Sequence, residues 1–187
     1  IDRTDPVGLA EAIRTDDVCR ITLVPTLVHD LVEHPDVHRE DLSGLTHMII
    51  GAAHTPPELR QRWYDKFGTW PLVGYGLTEA PSGMVRDRAG HRANSTAAGF
   101  PLDPVEVLVV DRNGVDLPDG EVGEVCFRAR SGGRWAGVWT PMLGYWNRPE
   151  ATREALRGGL LHTGDLGHLD ADGQLVVRGR QNQLILR

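Results

Sequence analysis

Three short apolar segments, separated by helix signals, constrain the fold of this chain more than any other sequence feature. They are Ile21 to Val24, Met48 to Ile50 and Pro71 to Tyr75. Each is largely apolar instead of alternating, which is typical of a strand buried on both faces. Residues with helical spacing lie between them. Alternation of strand and helix predicts a parallel sheet covered by helices.

One helix start signal precedes the first of these strands, and another lies between the second and the third. Asp5-Pro6 predicts an N-cap followed by proline at the first helical position. The run Thr55-Pro56-Pro57-Glu58 predicts a capping box that opens a helix through Trp63 to Gly68. Lys66, near the end of that helix, is predicted to lie in solvent.

The pattern changes after residue 98. Turn signals occur at Asn113-Gly114, at Pro118 to Gly120 and at Asp170 to Gly173, and half-buried strands are predicted between them. A helix start is predicted at Asn147 to Glu150. The predicted fold class is therefore α/β: a parallel sheet with covering helices over 1–98, followed by a small antiparallel β barrel-like subdomain over 99–178.

Charge and hydropathy exclude several classes of partner. The 187 residues hold 20 basic and 26 acidic side chains, for a net charge of −6, and no run of basic residues. This balance disfavours nucleic acid or an anionic membrane surface as the main partner. Every apolar stretch is far shorter than the roughly 18 residues of a spanning helix, and no signal segment is present. A cytoplasmic location is predicted.

Lysine and cysteine are too scarce for several kinds of chemistry. Lys66 is the only lysine, so neither a Walker-type phosphate loop nor a Schiff-base site is predicted. Cys19 and Cys126 lie too far apart in the sequence for a CxxC motif, and both are predicted to be buried thiols. His34 and His38 have HxxxH spacing, but Pro35 interrupts the helix that a metal site of this kind needs.

Two loops that follow predicted strands are candidates for ligand binding, because ligands of open α/β sheets bind beyond the carboxyl ends of the strands. Gly51-Ala52-Ala53 would let a flat ring approach the backbone. The second loop, which runs from Gly74 to Glu79, combines an aromatic ring, a hydroxyl group and a carboxylate. These groups could stack a base, bind a phosphate oxygen and hold Mg²⁺, respectively. Taken alone, this loop could equally be a tight turn. Its residues are Gly74, Tyr75, Gly76, Leu77, Thr78 and Glu79.

Two further segments could bind a sugar. Asp165 ends the run His162-Thr163-Gly164-Asp165, and Arg180 follows Gly179. A carboxylate can accept hydrogen bonds from both hydroxyls of a ribose, and a guanidinium group can reach the same sugar or a phosphate. Each segment on its own is equally typical of a surface turn.

The order of these segments resembles the AMP-forming adenylating enzymes, a family that includes acyl- and aryl-CoA ligases, nonribosomal-peptide adenylation domains and luciferases. The run Gly144 to Thr152 is most similar to the acyl-CoA ligase branch. The six matching segments, in chain order, are Val24-Pro25-Thr26, Gly51-Ala52-Ala53, Tyr75-Gly76-Leu77-Thr78-Glu79, Gly123-Glu124-Val125, Thr163-Gly164-Asp165 and Gly179-Arg180.

The resemblance implies a role for each candidate residue. Tyr75 would stack on adenine, Thr78 would contact the α-phosphate, and Glu79 would hold Mg²⁺, which makes Thr78 and Glu79 the catalytic candidates. Asp165 and Arg180 would bind the ribose. The remaining implied positions are Gly51, Ala52 and Ala53 in the adenine slot, Gly74 and Leu77 in the nucleotide-binding loop, Gly76 in the wall beside the acyl pocket, and Asn182 at the hinge.

The resemblance also implies an activity and a domain organisation. The parent enzyme would use ATP and Mg²⁺ to convert a fatty or aryl acid to an acyl-adenylate, and would then transfer the acyl group to coenzyme A. Residues 1–98 would carry the adenine-binding loops, and 179–187 would lead to a C-terminal domain.

Departures from the family pattern restrict that expectation. Ala52 lies where glycine is common, His54 where proline is common, and Asn182 where Asp or Lys is usual. The family's phosphate loop and its adenylation lysine have no counterpart among these 187 residues. We therefore expect a fragment that is inactive by itself and whose partners are the missing N- and C-terminal parts of the same chain. The alternative is a stand-alone, non-catalytic nucleotide-binding or scaffold domain of the same ancestry.

Overall fold

A computed structural model describes residues 5–88 and 96–181. The chain forms two compact units, 1–74 and 75–187. The boundary between these units, after residue 74, lies 24 residues before the predicted subdomain boundary at residue 98. The reason is that buried residues near 80–85 pack with later strands of the second unit. The functional division at residue 98 stays a prediction. Asn182 lies outside the described residues.

The first unit alternates strands and helices as predicted. Its strands pair in parallel: Ile21 lies opposite Met48, and Ile50 lies opposite Val73. The elements are α1 (Pro6–Thr15), β1 (Arg20–Leu23), α2 (Pro25–Glu33), a 3-10 turn (Arg39–Leu42), β2 (His47–Ile50), α3 (Pro57–Phe67) and the start of β3 (Leu72–Leu77).

The two predicted helix starts have different outcomes. Asp5 caps α1 as predicted, since its carboxylate accepts a hydrogen bond from the Val7 N–H at 3.0 Å. The capping box at Thr55 is wrong: the N-cap of α3 is Pro56, and no side chain caps it. Pro57 favours an extended conformation in the residue before it, which moves the helix start past Thr55. The helix ends as predicted, at Gly68 in the left-handed conformation.

The core of the first unit centres on Trp63, which is fully buried. Its ring lies 4.4 Å from that of Phe67, centroid to centroid, and its indole N–H donates to the Thr69 hydroxyl. The prediction that Lys66 lies in solvent holds only in part, because this side chain is half-buried. Its ammonium group donates to the carbonyls of Leu31, Val32 and His34 at 2.7–3.0 Å, and so caps the C-terminal end of α2.

The second unit is mainly antiparallel. Its four-stranded sheet has the order β6-β7-β8-β9, with β6 and β9 as the edges, so the sheet in 96–181 is open and not a closed barrel. The fold class is otherwise confirmed. The elements are the end of β3, β4 (Ala80–Arg86), β5 (Phe100–Pro101), β6 (Val105–Val110), β7 (Gly123–Ala129), α4 (Pro149–Ala155), a 3-10 turn (Arg157–Gly159), β8 (Leu161–Leu169) and β9 (Leu175–Arg180).

Turn chemistry determines the connections of this sheet. After β6, the Asp111 carboxylate accepts from the N–H groups of Asn113 and Val115 at 2.8 Å, which closes the predicted Asn113-Gly114 turn. Asp170 makes the equivalent contacts between β8 and β9. None of the helices in the described ranges is long and apolar enough to cross a membrane.

The two cysteines differ in environment. Cys126 is fully buried, as predicted, whereas the prediction for Cys19 is wrong because that residue is exposed. Cys19 immediately precedes β1, where the chain enters the sheet from the surface.

Candidate functional site

The segment Thr163-Gly164-Asp165 lies at an irregularity in the pairing of β7 and β8. Cys126 lies opposite His162, and Glu124 lies opposite Leu166, so β8 holds two extra residues between these pairs. Gly164 has φ +70°, a left-handed conformation that glycine adopts without steric cost. Such bulges redirect side chains out of the regular sheet, and this one places Asp165 at the edge of the bulge.

Three hydrogen bonds hold the bulge in place. The Thr163 hydroxyl donates to the Val125 carbonyl at 2.8 Å and accepts from the Asp165 N–H at 3.0 Å. The Gly164 N–H donates to the Glu124 Oε1 at 3.1 Å. Glu124 and Thr163 therefore position Asp165 through the bulge that precedes it.

The Asp165 carboxylate is buried and hydrogen-bonded at both oxygens. The Tyr75 hydroxyl donates to Oδ2 at 2.5 Å, and the Arg180 Nε–H donates to Oδ1 at 3.0 Å. Asp165 and Arg180 are also directly opposite in the β8–β9 register, which explains why the ion pair forms. Hydrogen bonds to a charged acceptor are stronger than neutral ones, so these contacts fix the carboxylate.

The Tyr75 ring is positioned by packing on its other side. It lies 6.0 Å from the Phe127 ring, centroid to centroid, and Phe127 is fully buried in the core of the second unit. Burial of the Tyr75 phenol, followed by its hydrogen bond to Asp165 and the negative charge there, raises its pKa well above the usual value. Tyr75 is thus a neutral donor to Asp165 near pH 7.

The prediction that Gly74 to Glu79 form a loop is wrong for most of its length, because β3 continues to Leu77. Only Thr78 and Glu79 form the connection between β3 and β4. The Glu79 Oε1 accepts from the Tyr145 hydroxyl at 2.7 Å, and the Glu79 carbonyl accepts from the Met142 N–H at 2.8 Å. This contact with Glu79, followed by burial, raises the pKa of the Tyr145 phenol, and the charge of Arg180 partly opposes that shift. The positive charge of Arg180 therefore influences Tyr145 as well as its ion-pair partner Asp165.

The structure brings several predicted site residues together within the second unit. Tyr75, Asp165 and Arg180 are in contact, and Glu79 is bound by Tyr145. Thr78 is exposed. Backbone packing accounts for Gly76, since a Cβ there would lie 3.0 Å from the Gly83 Cα. The ligand-binding roles of these residues, and of Leu77, stay predictions.

The other predicted site residues lie in the first unit. Gly51 is buried, and a Cβ there would lie 3.4 Å from the Gly74 carbonyl. Ala52 and Ala53 are exposed, and Ala52 has φ +67°, a conformation that favours glycine. Glycine would adopt the backbone conformation of Ala52 with less steric cost than alanine does. The adenine slot itself stays a prediction.

Sequence reasoning missed Tyr145 as a site residue. It lies 66 residues from Glu79, so no local spacing links the two. Its backbone N–H donates to the Thr152 hydroxyl at 2.9 Å, and that hydroxyl donates to the Arg148 carbonyl. The run Gly144 to Thr152 was identified only as a family segment. These contacts show that it folds as one turn that presents Tyr145 to Glu79.

Alkaline pH is expected to destabilise the fold through the two raised tyrosine pKa values. The folded state keeps the phenols of Tyr75 and Tyr145 protonated above the ordinary pKa of tyrosine, whereas in the unfolded chain they ionise near pH 10. Their contribution to stability is complete below about pH 10 and falls as the pH rises above it. Ultraviolet titration, which detects phenolate formation, checks this prediction. Tyr75→Phe should remove one phenol that titrates above pH 10. If the variant instead lacks a phenol that titrates near pH 10, the pKa of Tyr75 is not raised.

Comparison with known proteins identifies similar sequences over almost the whole chain. The family model described as AMP-binding enzyme matches residues 1–146. A feruloyl-CoA synthase of an Amycolatopsis species is 34% identical over 183 residues, and a medium/long-chain-fatty-acid–CoA ligase, FadD8, of Mycobacterium tuberculosis is 33% identical over 184 residues. The alignments cover 97% of this chain in both cases, but only 35% and 31% of those proteins.

Solved structures show the same similarity. ATP-bound MatB from Rhodopseudomonas palustris superposes with a TM-score of 0.81 at 26% identity, over 97% of this chain and 34% of that one. The chain therefore spans about one third of the length of the relatives that it matches.

Proposed function

The chain belongs to the AMP-binding enzyme family, and on that basis we propose that it forms the adenosine-binding part of an ATP-dependent acid–CoA ligase. The observation that carries this proposal is the Tyr75–Asp165–Arg180 cluster. Three segments that are far apart in the sequence converge on one carboxylate. That carboxylate can bind the two adjacent hydroxyl groups of a ribose.

The chemistry of Asp165 suits a diol. An ionised carboxylate offers about four acceptor positions, and Tyr75 and Arg180 occupy one on each oxygen. Each oxygen can still accept a ribose hydroxyl. The guanidinium group of Arg180 is more than half exposed and has donors beyond the Nε that binds Asp165, which suits the same sugar or a phosphate.

We place the reacting phosphate near Thr78 and Glu79. The exposed Thr78 hydroxyl would donate to an α-phosphate oxygen. Tyr145 holds the Glu79 side chain through Oε1, so Oε2 is the atom proposed to bind Mg²⁺. The ion would supply charge neutralisation at the phosphate groups, and the fixed carboxylate fits that role.

The proposed reaction has two steps. The carboxylate of the acid attacks the α-phosphorus of ATP, which forms an acyl-adenylate and releases pyrophosphate. The coenzyme A thiol then attacks the acyl carbonyl and releases AMP, with formation of the thioester. The named relatives act on an aryl acid in one case and on fatty acids in the other. A fatty or aryl acid is accordingly the proposed substrate class.

We propose that these 187 residues do not catalyse adenylation alone. The family's phosphate loop and catalytic lysine have no counterpart here, and Lys66 is engaged by the carbonyls at the end of α2. Further N- and C-terminal parts of the same protein would supply them. On this proposal 1–98 carries the adenine-binding loops, 99–178 carries Asp165, and 179–187 with Asn182 forms a hinge. A cytoplasmic location stays a prediction.

Nucleotide binding to the chain itself tests the proposal. Charge-assisted hydrogen bonds and base stacking are largely offset by the cost of association, so we expect AMP to bind with a Kd of about 1 mM. Asp165→Asn should abolish detectable binding, as monitored by the chemical shifts of AMP. The control is Asp119→Asn, an exposed carboxylate in a turn of the same unit.

Three outcomes would contradict this proposal. AMP binding that Asp165→Asn leaves unchanged would place the nucleotide elsewhere. Micromolar binding together with pyrophosphate exchange by the 187 residues alone would show that the missing segments are unnecessary. Micromolar binding without exchange would favour the alternative function, a non-catalytic nucleotide-binding or scaffold domain.

A further inference from the structure

Three potential metal ligands converge inside the second unit, on the β7 side of the Asp165 bulge. Glu124 and Cys126 are alternate residues of β7, so their side chains share one face of the sheet, and His162 lies opposite Cys126 on β8. Cys126 is fully buried, and the side chains of His162 and Glu124 are 6% and 11% exposed.

The three donor atoms lie close to one another. The Cys126 Sγ is 3.3 Å from the His162 Nδ1, and the same Nδ1 is 2.9 Å from the Glu124 Oε2. All three atoms lie within 4.8 Å of one another. The sulfur, nitrogen and oxygen therefore face a common point.

This geometry does not suit a nucleophilic triad. In such a triad the base contacts the nucleophile through one ring nitrogen and the orienting acid through the other. Here both neighbours contact Nδ1.

The geometry does suit a metal ion. Tetrahedral Zn²⁺ has ligand bonds of about 2.0–2.3 Å, which places neighbouring ligand atoms about 3.3–3.6 Å apart. The observed Sγ–Nδ1 and Nδ1–Oε2 distances are within a few tenths of an ångström of that range. A thiolate, an imidazole and a carboxylate together are typical ligands of Zn²⁺ rather than of Mg²⁺ or Ca²⁺.

We propose that Glu124, Cys126 and His162 form a Zn²⁺ site with three protein ligands, separate from the nucleotide site and unused by the adenylation reaction. Water would complete the tetrahedron. On binding, the Cys126 thiol loses its proton to solvent, and the His162 ring binds the ion through the lone pair of Nδ1 with its proton on Nε2.

The surroundings of Glu124 support a fixed ligand. Its Oε1 accepts from the Gly164 N–H, which leaves Oε2 directed at the cluster. The Arg157 guanidinium group contacts Glu124 too, with its Nη2 3.1 Å from Oε2. The Arg157 side chain is half exposed, so it can withdraw into solvent when the ion binds.

Cobalt binding tests the proposal without altering any ligand. The chain has two cysteines, so in Cys19→Ser the only thiol is Cys126. Titration of that protein with Co²⁺ should produce a thiolate-to-cobalt charge-transfer band and the intense visible bands of four-coordinate cobalt, saturating at one equivalent. Zn²⁺ should abolish both sets of bands. We expect a Zn²⁺ Kd of about 1 µM or tighter by chelator competition.

Substitution of the proposed ligands should weaken metal binding. Cys126→Ser and His162→Gln should each weaken Zn²⁺ binding at least 100-fold, whereas the control His29→Gln, an exposed histidine of the first unit, should leave the Kd unchanged. Circular dichroism would verify that the variants fold, and the cobalt spectrum of Cys19→Ser remains decisive if they do not. Absence of the charge-transfer band at saturating Co²⁺, or a Kd that neither ligand variant changes, would overturn the proposal and leave a hydrogen-bonded cluster only.

Discussion

Replacing Glu79 by glutamine is expected to lower the rate of ATP–pyrophosphate exchange by about 10²- to 10³-fold. Glutamine keeps the size of the side chain and an oxygen that can accept from the Tyr145 hydroxyl. It removes the negative charge that we propose to bind Mg²⁺. The exchange rate would be measured in a longer protein, expressed from the coding sequence that includes the regions flanking Ile1 and Arg187. A panel of aryl acids and fatty acids would be tested as the acid substrate.

Two further variants separate catalysis from folding in this assay. Glu121→Gln removes an exposed carboxylate of the same unit and should leave the rate unchanged. Tyr145→Phe removes the hydrogen bond that orients Glu79 but keeps the charge, so its effect should be smaller than that of Glu79→Gln. If Glu79→Gln retains the full exchange rate, Glu79 does not hold the metal.

Replacing Trp63 by alanine is expected to lower the free energy of unfolding of the first unit by about 3–5 kcal/mol. The side chain is fully buried and packs on Phe67, and its removal leaves a cavity in the core of the first unit. Loss of the hydrogen bond to Thr69 adds to the cost. Urea unfolding, followed by circular dichroism, measures the change.

The control for Trp63→Ala is Trp146→Ala, because Trp146 is 90% exposed and should change the stability by no more than about 0.5 kcal/mol. Trp63→Phe retains an aromatic ring and should cost less than alanine. It also keeps the comparison measurable if the alanine variant does not fold. A loss below about 1 kcal/mol for Trp63→Ala would show that this core is not organised around the indole ring.

Local patterns predicted most of the secondary structure correctly. The three apolar segments form β1, β2 and β3, and the Asn113-Gly114 and Asp170 to Gly173 signals lie in turns. These features depend on neighbours within a few residues, which a linear sequence displays directly. The capping box at Thr55 was wrong for an equally local reason, since Pro57 determines the conformation of the residue before it.

The candidate site was predicted only as an ordered set of segments. The order of motifs, together with the family resemblance, identified Tyr75, Glu79, Asp165 and Arg180. The contact between Tyr75 and Asp165 joins residues 90 positions apart. The contact between Glu79 and Tyr145 was not predicted at all, because a tyrosine in an irregular turn carries no periodic signal.

The sequence alone determined the alternation of strands and helices, the positions of the turns and the family to which the chain belongs. The tertiary structure decided which distant side chains meet. It places Lys66 on the carbonyls of α2 and brings Cys126 to His162. The physical reason is that local conformation follows from neighbouring residues, whereas a contact between strands depends on register. Here two extra residues in β8 form the bulge that holds Asp165, and the β8–β9 register places Asp165 opposite Arg180.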